Sequence, residues 1–317
     1  MKYTFSYRLD TLSSSLQLAK LVDMSCPQTV LAEVRFLLRE AAPALNTERF
    51  AALFEDVVLL FNGRFPGYQA CNTAYHNLKH TTDNVMALAR LMHGAWASGA
   101  LSCPLESIEQ GLIAALFHDI GYLQETEDNN GSGAKHTKMH VKRSMAFADR
   151  YLIQKDFPAP YRESVAHIIA YTEISHSPET PFLPKEIEQI GQMEGTADLL
   201  GQMADRTYLE KLLLLYLEFR EGGIPGYEVE FDVLEKTLPF YNLINQRLVK
   251  NLNNVQRFML PHFRKRWNLD CDLYALAIKN NLSYLNRLIS DHPKDYRAFL
   301  RRDNIVNELM AQEKEGR

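Results

Sequence analysis

Apolar residues return every three to four positions along most of this chain, in stretches near 11–22, 28–40, 47–62, 77–97, 105–121, 138–154, 160–174, 185–221, 231–258 and 272–290. A helix of 3.6 residues per turn gathers such residues on one face, so the pattern predicts an all-α fold built as a multi-helix bundle. Turn chemistry agrees. Breaks fall at Asn62-Gly63 with Pro66-Gly67, at Asp128-Asn129-Asn130-Gly131, from Ser177-Pro178 to Pro184, and from Gly222-Gly223 to Gly226. Fifteen glycines and 13 prolines in 317 residues are too few for a loop-rich or all-β chain. The breaks divide the chain into a leading helical segment (1–62), a centre (63–221) and a trailing helical segment (222–317). No flexible linker joins them, so they are expected to pack as one body.

Charge narrows the partners. Lys plus Arg (35) against Asp plus Glu (39) leaves a net charge of -4, which offers no global positive field to gather nucleic acid or acidic membrane. The cluster Arg257, His262, Arg264, Lys265 and Arg266 with Trp267 is at most a local anion or partner patch. Cys26, Cys71, Cys103 and Cys271 lie far apart, without zinc-ribbon spacing, and a disulfide framework is not expected. The first 15 residues carry no apolar signal core, and no apolar run nears the roughly 18 residues of a spanning helix. A cytoplasmic protein with no membrane contact is the expectation. Leu209, Leu212, Leu213, Leu215 and Tyr216 form a stripe that reads as core, and the trailing segment, with Tyr241, Leu243, Leu248, Leu252, Phe258 and Phe263, is expected to cover the central bundle, with a homodimer seam as the alternative that the pattern does not separate from core.

Eight of the ten histidines lie between positions 76 and 176. The first constellation is Tyr75-His76-Asn77-Leu78-Lys79-His80, in which four-residue spacing sets His76 and His80 on adjacent turns of one helix face. Two such imidazoles can bind a metal, or one can bind while the other moves protons; capping and surface decoration compete with that reading. The second runs from Leu112 to Tyr122, where an almost wholly apolar helix ends in His118-Asp119-Ile120-Gly121. Adjacent ionisable residues in apolar surroundings are costly to desolvate unless paired or metal-bound. Gly121 lets the backbone turn close to that point. The third is Asp198 within Glu194-Gly195-Thr196-Ala197-Asp198-Leu199-Leu200, a carboxylate on a helix that otherwise reads as core. Asp205 lies on roughly the same face, but Arg206 beside it offers a local ion pair.

The order of these motifs resembles the HD superfamily of metal-dependent phosphohydrolases. More narrowly, YHNLKH resembles the Y-H-N-x-x-H segment of class I cyclic-nucleotide phosphodiesterases, and the likeness covers about 75–205. It implies an HD-domain, phosphodiesterase-like bundle in which His80, His118, Asp119 and Asp198 are metal ligands. Asp119 would bridge two divalent metal ions (Mn, Fe, Mg or Zn), and His76 would protonate the leaving oxygen. Beyond the HD pair the chain departs from the phosphodiesterase pattern, with Tyr122 where that pattern has a further His. A purine-gripping Gln has no counterpart near the C-terminus. His140, in the H-x-x-x-S element 140–144, resembles the second-metal histidine of many HD proteins, while Thr172-Glu173 stands where a later His often does. His140 and Glu173 are therefore second-metal or second-shell candidates, and His167, among Val165, Ile168 and Ile169, reads as a core histidine.

The resemblance implies a metal-dependent phosphoric ester hydrolase whose partner is a small-molecule phosphoester, a cyclic or linear nucleotide included. The candidate substrate-binding residues are Asn77, Tyr122 and Lys135. Lys135, with Lys138, Lys142 and Arg143 nearby, can grip a phosphate or simply solvate a helix face. The segment from Gly131 to Thr137 lacks phosphate-loop spacing and reads as a flexible lid. Two alternatives stand beside hydrolysis: an HD-fold di-iron oxygenase, for which His140 and His167 would complete the ligand set, and a non-catalytic signalling protein on a metal-stabilised scaffold.

Overall fold

A computed structural model describes residues 17–174 and 183–315 of the chain. Among them the architecture is all-helical. In order come α1 (Pro27–Ala41), α2 (Thr47–Phe61), α3 (Leu78–Ala97), α4 (Leu105–Phe117), α5 (His140–Gln154), α6 (Ala159–Ala170), α7 (Lys185–Ala204), α8 (Tyr208–Glu221), α9 (Glu230–Lys250), α10 (Met259–Trp267), α11 (Leu273–Asp291) and α12 (Ile305–Glu315). Short 3-10 turns link several of them. None of these helices is long and apolar enough to cross a membrane.

Helix α3 is the axis of the bundle. Every residue from 80 to 95 is buried, as a helix must be when neighbours cover all its faces. Helices α4 and α7 pack on it, and so do α1 from the leading segment and α10 from the trailing one. One apolar core therefore takes side chains from all three segments. Leu88, Leu91 and Met92 are sealed inside it, each contributing about 1.5–3 kcal/mol by burial. Helix α7 is similarly enclosed, with residues 190–201 all buried. Polar groups within 80–95 of α3 and 190–201 of α7 consequently face protein, not solvent, and each requires a partner or a task.

Local chemistry sets the helix ends. Pro27 opens α1, where its missing N–H costs nothing. Asn46 caps α2 through Glu48 N at 3.0 Å. Asp272 caps α11 by accepting from Tyr274 N at 2.9 Å and Ala275 N at 3.1 Å. Asp272→Ala is expected to lower stability by about 1 kcal/mol, read as a shift in the urea midpoint; an unshifted midpoint would show that the cap contributes nothing.

The periodic stretch 185–221 is two helices, not one. Asp205 takes an extended conformation, and its side chain accepts from Thr207 N at 2.9 Å, which ends α7 and starts α8. The stretch 231–258 is also broken, by Asn253 and Asn254 at positive φ, a region asparagine tolerates better than most residues. Helices α10 and α12 lie beyond the expected periodic stretches. Most of the stretch 11–22 falls outside the described residues, which take it up only at 17 and form a 3-10 turn at Leu18–Lys20.

Candidate metal centre

The buried apolar helix α4 delivers His118 at its C-cap and Asp119 immediately after it. Helix α3 supplies His80 in its first turn, and α7 supplies Asp198. His80, His118 and Asp119 each offer a donor atom, and these atoms all lie within 4.8 Å of one another. Asp119 Oδ2 is 3.0 Å from His80 Nε2 and 3.2 Å from His118 Nε2, and the two nitrogens are 3.2 Å apart. Asp198 Oδ1 closes the group at 3.3 Å from His80 Nε2 and 3.7 Å from His118 Nε2. The four residues assigned as ligands by resemblance therefore meet in one buried volume.

Electrostatics there calls for positive charge. Burial works against protonation of His80 and His118, but Asp119 and Asp198 outweigh it and raise the two pKa values to about 9 and about 10. Burial likewise opposes charge on Asp119, yet the His118 and His80 imidazoles hold its carboxyl well below the usual range. The carboxylates thus demand either two protons or a cation between the rings. Donor chemistry fits the cation. Asp119 Oδ2 is buried without a well-aligned hydrogen bond, and the Nδ1 edge of His118 lies 2.9 Å from the Ala115 carbonyl, a natural acceptor for its proton. With Nδ1–H donated there, Nε2 carries a lone pair toward the carboxylate. Mixed imidazole and carboxylate donors suit manganese, iron, zinc or magnesium without choosing among them.

His140, the first residue of α5, approaches from the other side. Its Nε2 is 3.7 Å from Asp119 Oδ1, and its Nδ1 is 2.7 Å from the Thr137 carbonyl. One Asp119 oxygen thus faces His80 and His118 while the other faces His140. The serine of the H-x-x-x-S element explains how α5 is docked, since Ser144 Oγ accepts from Gly121 N at 2.9 Å. Arg143 Nε donates to Gly121 O at 2.7 Å from the same helix turn.

His76 lies before α3, not on it. Asn77 is the N-cap, so the four-residue spacing to His80 spans a loop-to-helix junction. His76 Nδ1 is 2.5 Å from Glu218 Oε2, and Glu218 Oε1 accepts from Tyr75 N at 2.6 Å and His76 N at 3.3 Å. Glu218 comes from α8, 142 residues away, and is 4 % exposed. Tyr122 fills the gap between His76 and His140, stacked on the first at 4.3 Å and on the second at 4.6 Å.

Other expected site residues are placed differently. Asn77 spends its side chain on the helix end, accepting from His80 N at 3.2 Å and donating to Ala74 O at 2.8 Å. Lys135 Nζ is engaged by Asp128 and the Asn130 carbonyl, within its own loop. That loop is laced down rather than built as a lid: Ser132 Oγ donates to Glu221 at 2.6 Å and Asn72 accepts from Gly133 N at 2.9 Å. Glu173 is exposed beyond the end of α6, outside the buried group, and His167 is half-buried on α6. Asp205 pairs with Lys79 at 3.2 Å and with Lys211, in place of Arg206. In the basic patch, Arg266 is paired with Glu33 at 3.0 Å, Arg264 with Asp270, and His262 is fully buried.

A further ring of polar residues surrounds the candidate ligands. Gln202 donates to Asp198 Oδ1 at 2.6 Å and accepts from Tyr75 OH at 2.9 Å. Asn84 sits between Glu194 and His118. Burial pushes Glu194 up to about 7. For Glu194 the detectable signal was an acid one turn before Asp198, beside small residues on α7; Glu218 had no comparable signal. Comparison with known proteins gives no matching family model, no matching curated protein and no matching solved structure.

Proposed function

We propose that this chain is a metal-dependent phosphoric ester hydrolase, acting on a phosphodiester or nucleotide. The observation that carries the reading is the buried His80, His118 and Asp119 donor set with Asp198 beside it and His76 in the loop before α3, its ring 5.5 Å from that of His80, outside the donor set and paired with its own carboxylate. A divalent cation held by these donors supplies Lewis acidity toward a phosphoryl oxygen and lowers the pKa of a bound water from about 15.7 toward 7.

The chain's own residues then do the following. Glu218 takes the Nδ1 side of His76, which fixes the ring and leaves Nε2 to hold a proton for the departing ester oxygen. Stacking on Tyr122 keeps the imidazole from turning away. His140, anchored at Nδ1, aims Nε2 at the second Asp119 oxygen, which supports a second cation beside the first.

His76→Ala is expected to keep its metal but slow turnover about 10²–10⁴-fold, most for substrates with poor leaving groups. Metal content with turnover on aryl and alkyl esters checks this; metal loss would make His76 a ligand. The reading as a whole is tested by Mn- and Fe-supported hydrolysis of bis(p-nitrophenyl) phosphate by metal-quantified protein. Metal-loaded protein that is inert toward a range of phosphoesters yet consumes oxygen would replace hydrolysis by di-iron oxygenase chemistry.

A further inference from the structure

Glu194 is a buried carboxylate that the proposed chemistry does not use. It is wholly enclosed, on α7, one helical turn before Asp198. Among the described residues its one hydrogen bond is from Asn84 Nδ2 at 2.7 Å, and its Oε2 has no partner. Burying an acid on these terms is expensive, and an apolar residue of similar volume would pack there at lower cost. The position therefore asks for a reason other than stability.

Asn84 supplies one. It is also fully buried, on α3, one turn beyond His80. Its Nδ2 lies 2.7 Å from Glu194 Oε1 and 3.2 Å from His118 Nδ1. A carboxylate oxygen can only accept from an amide, so Glu194 decides which end of Asn84 faces it and locks the amide against rotation. The amide in turn packs on the Nδ1 edge of His118, beside the Ala115 carbonyl at 2.9 Å. The Ala115 carbonyl takes the Nδ1 proton, so the Asn84 amide nitrogen, itself a donor committed to Glu194, bounds this edge by packing at 3.2 Å and not by a hydrogen bond, and the ring keeps Nε2 turned into the donor set. The chain Glu194, Asn84, His118 ties α7, α3 and the end of α4 together at the point where all three deliver candidate ligands.

We propose that Glu194 is a positioning residue for the metal ligand His118, acting through Asn84. The inference rests on the metal-centre reading above and adds to it a residue that touches neither metal nor substrate. Outer partners of metal-bound imidazoles typically set affinity by about 10–100-fold when removed.

The test uses the full-length chain and Mn²⁺ alone, titrated calorimetrically into wild type, Glu194→Leu, Glu194→Gln and Asn84→Leu, with each protein also melted in chelator. Glu194→Leu is expected to bind Mn²⁺ about 10–100-fold more weakly while its metal-free melting temperature does not fall. Asn84→Leu should show the same weakening. Glu194→Gln, which still presents an oxygen to Asn84 Nδ2, should recover most of the affinity. Glu194→Leu that binds as tightly as wild type overturns the proposal, as does equal weakening in the Leu and Gln variants with a parallel loss of metal-free stability. Wild type that takes up no Mn²⁺ overturns the metal-centre reading itself, and is told apart because it appears before any variant is compared.

Discussion

Asp119→Ala is expected to take up no Mn²⁺ and to hydrolyse no phosphodiester, losing both together. Its carboxylate faces His80 and His118 with one oxygen and His140 with the other, so one substitution removes the group common to all three rings. Calorimetric Mn²⁺ titration and bis(p-nitrophenyl) phosphate turnover on the same preparation check it; retention of both would put metal and activity elsewhere. The metal-free protein carries a second signature. His80 and His118 are raised above the ordinary histidine value, so their pairing with Asp119 stabilises the fold fully below about pH 6.5 and fades as pH rises toward 9–10. In chelator, the melting temperature of Asp119→Ala should therefore fall further below wild type at pH 6 than at pH 8. Equal losses at the two pH values would mean that the imidazoles carry no charge in the metal-free state.

The parts of this centre that were legible from sequence share one physical trait: an ionisable side chain in a run that had to be buried. His118 and Asp119 end the apolar run from Leu112 to Phe117, and Asp198 interrupts a run of small and apolar residues on α7, so their cost was visible before their partners were. Residues that act through distant partners were not legible. Glu218 sits in Leu217-Glu218-Phe219, where a lone acid reads as the wet side of a helix, and only the packing of α8 against the loop before α3 brings it to His76. Asn84 looks like an ordinary polar residue until α3 proves to be enclosed on every side. Lys135 shows the converse. Its position near a glycine-rich loop suggested a phosphate grip, but Asp128, seven residues earlier, is the nearer anion and holds it. The same limit applies to helix boundaries: periodicity marks what is apolar, whereas the break at Asp205 depends on a local bond from Thr207 N to its side chain that periodicity does not register.

Gly121→Ala is expected to separate the two sides of the centre. A β-carbon there would lie 2.0 Å from the His140 carbonyl oxygen and 2.7 Å from its carbonyl carbon, both backbone atoms that no side-chain rotation can move. The first turn of α5 must shift, carrying His140 away from Asp119 and straining the hydrogen bond from Gly121 N to Ser144 Oγ. Overpacking of this kind costs about 1–3 kcal/mol, which in a chain of this size lowers melting by on the order of 5 °C. His80, His118 and Asp198 sit on α3, the end of α4 and α7, so they should still bind one equivalent of Mn²⁺. What should be lost is any second equivalent and, with it, most of the turnover. Ser144→Ala is the companion variant, since it removes the hydrogen bond without the clash and should fall between wild type and Gly121→Ala in both readouts. If Gly121→Ala melts and turns over like wild type, the close approach of α5 is not what holds His140 at Asp119. If it binds no Mn²⁺ at all, His140 belongs to the first ion's donor set, and the two oxygens of Asp119 serve one cation instead of two.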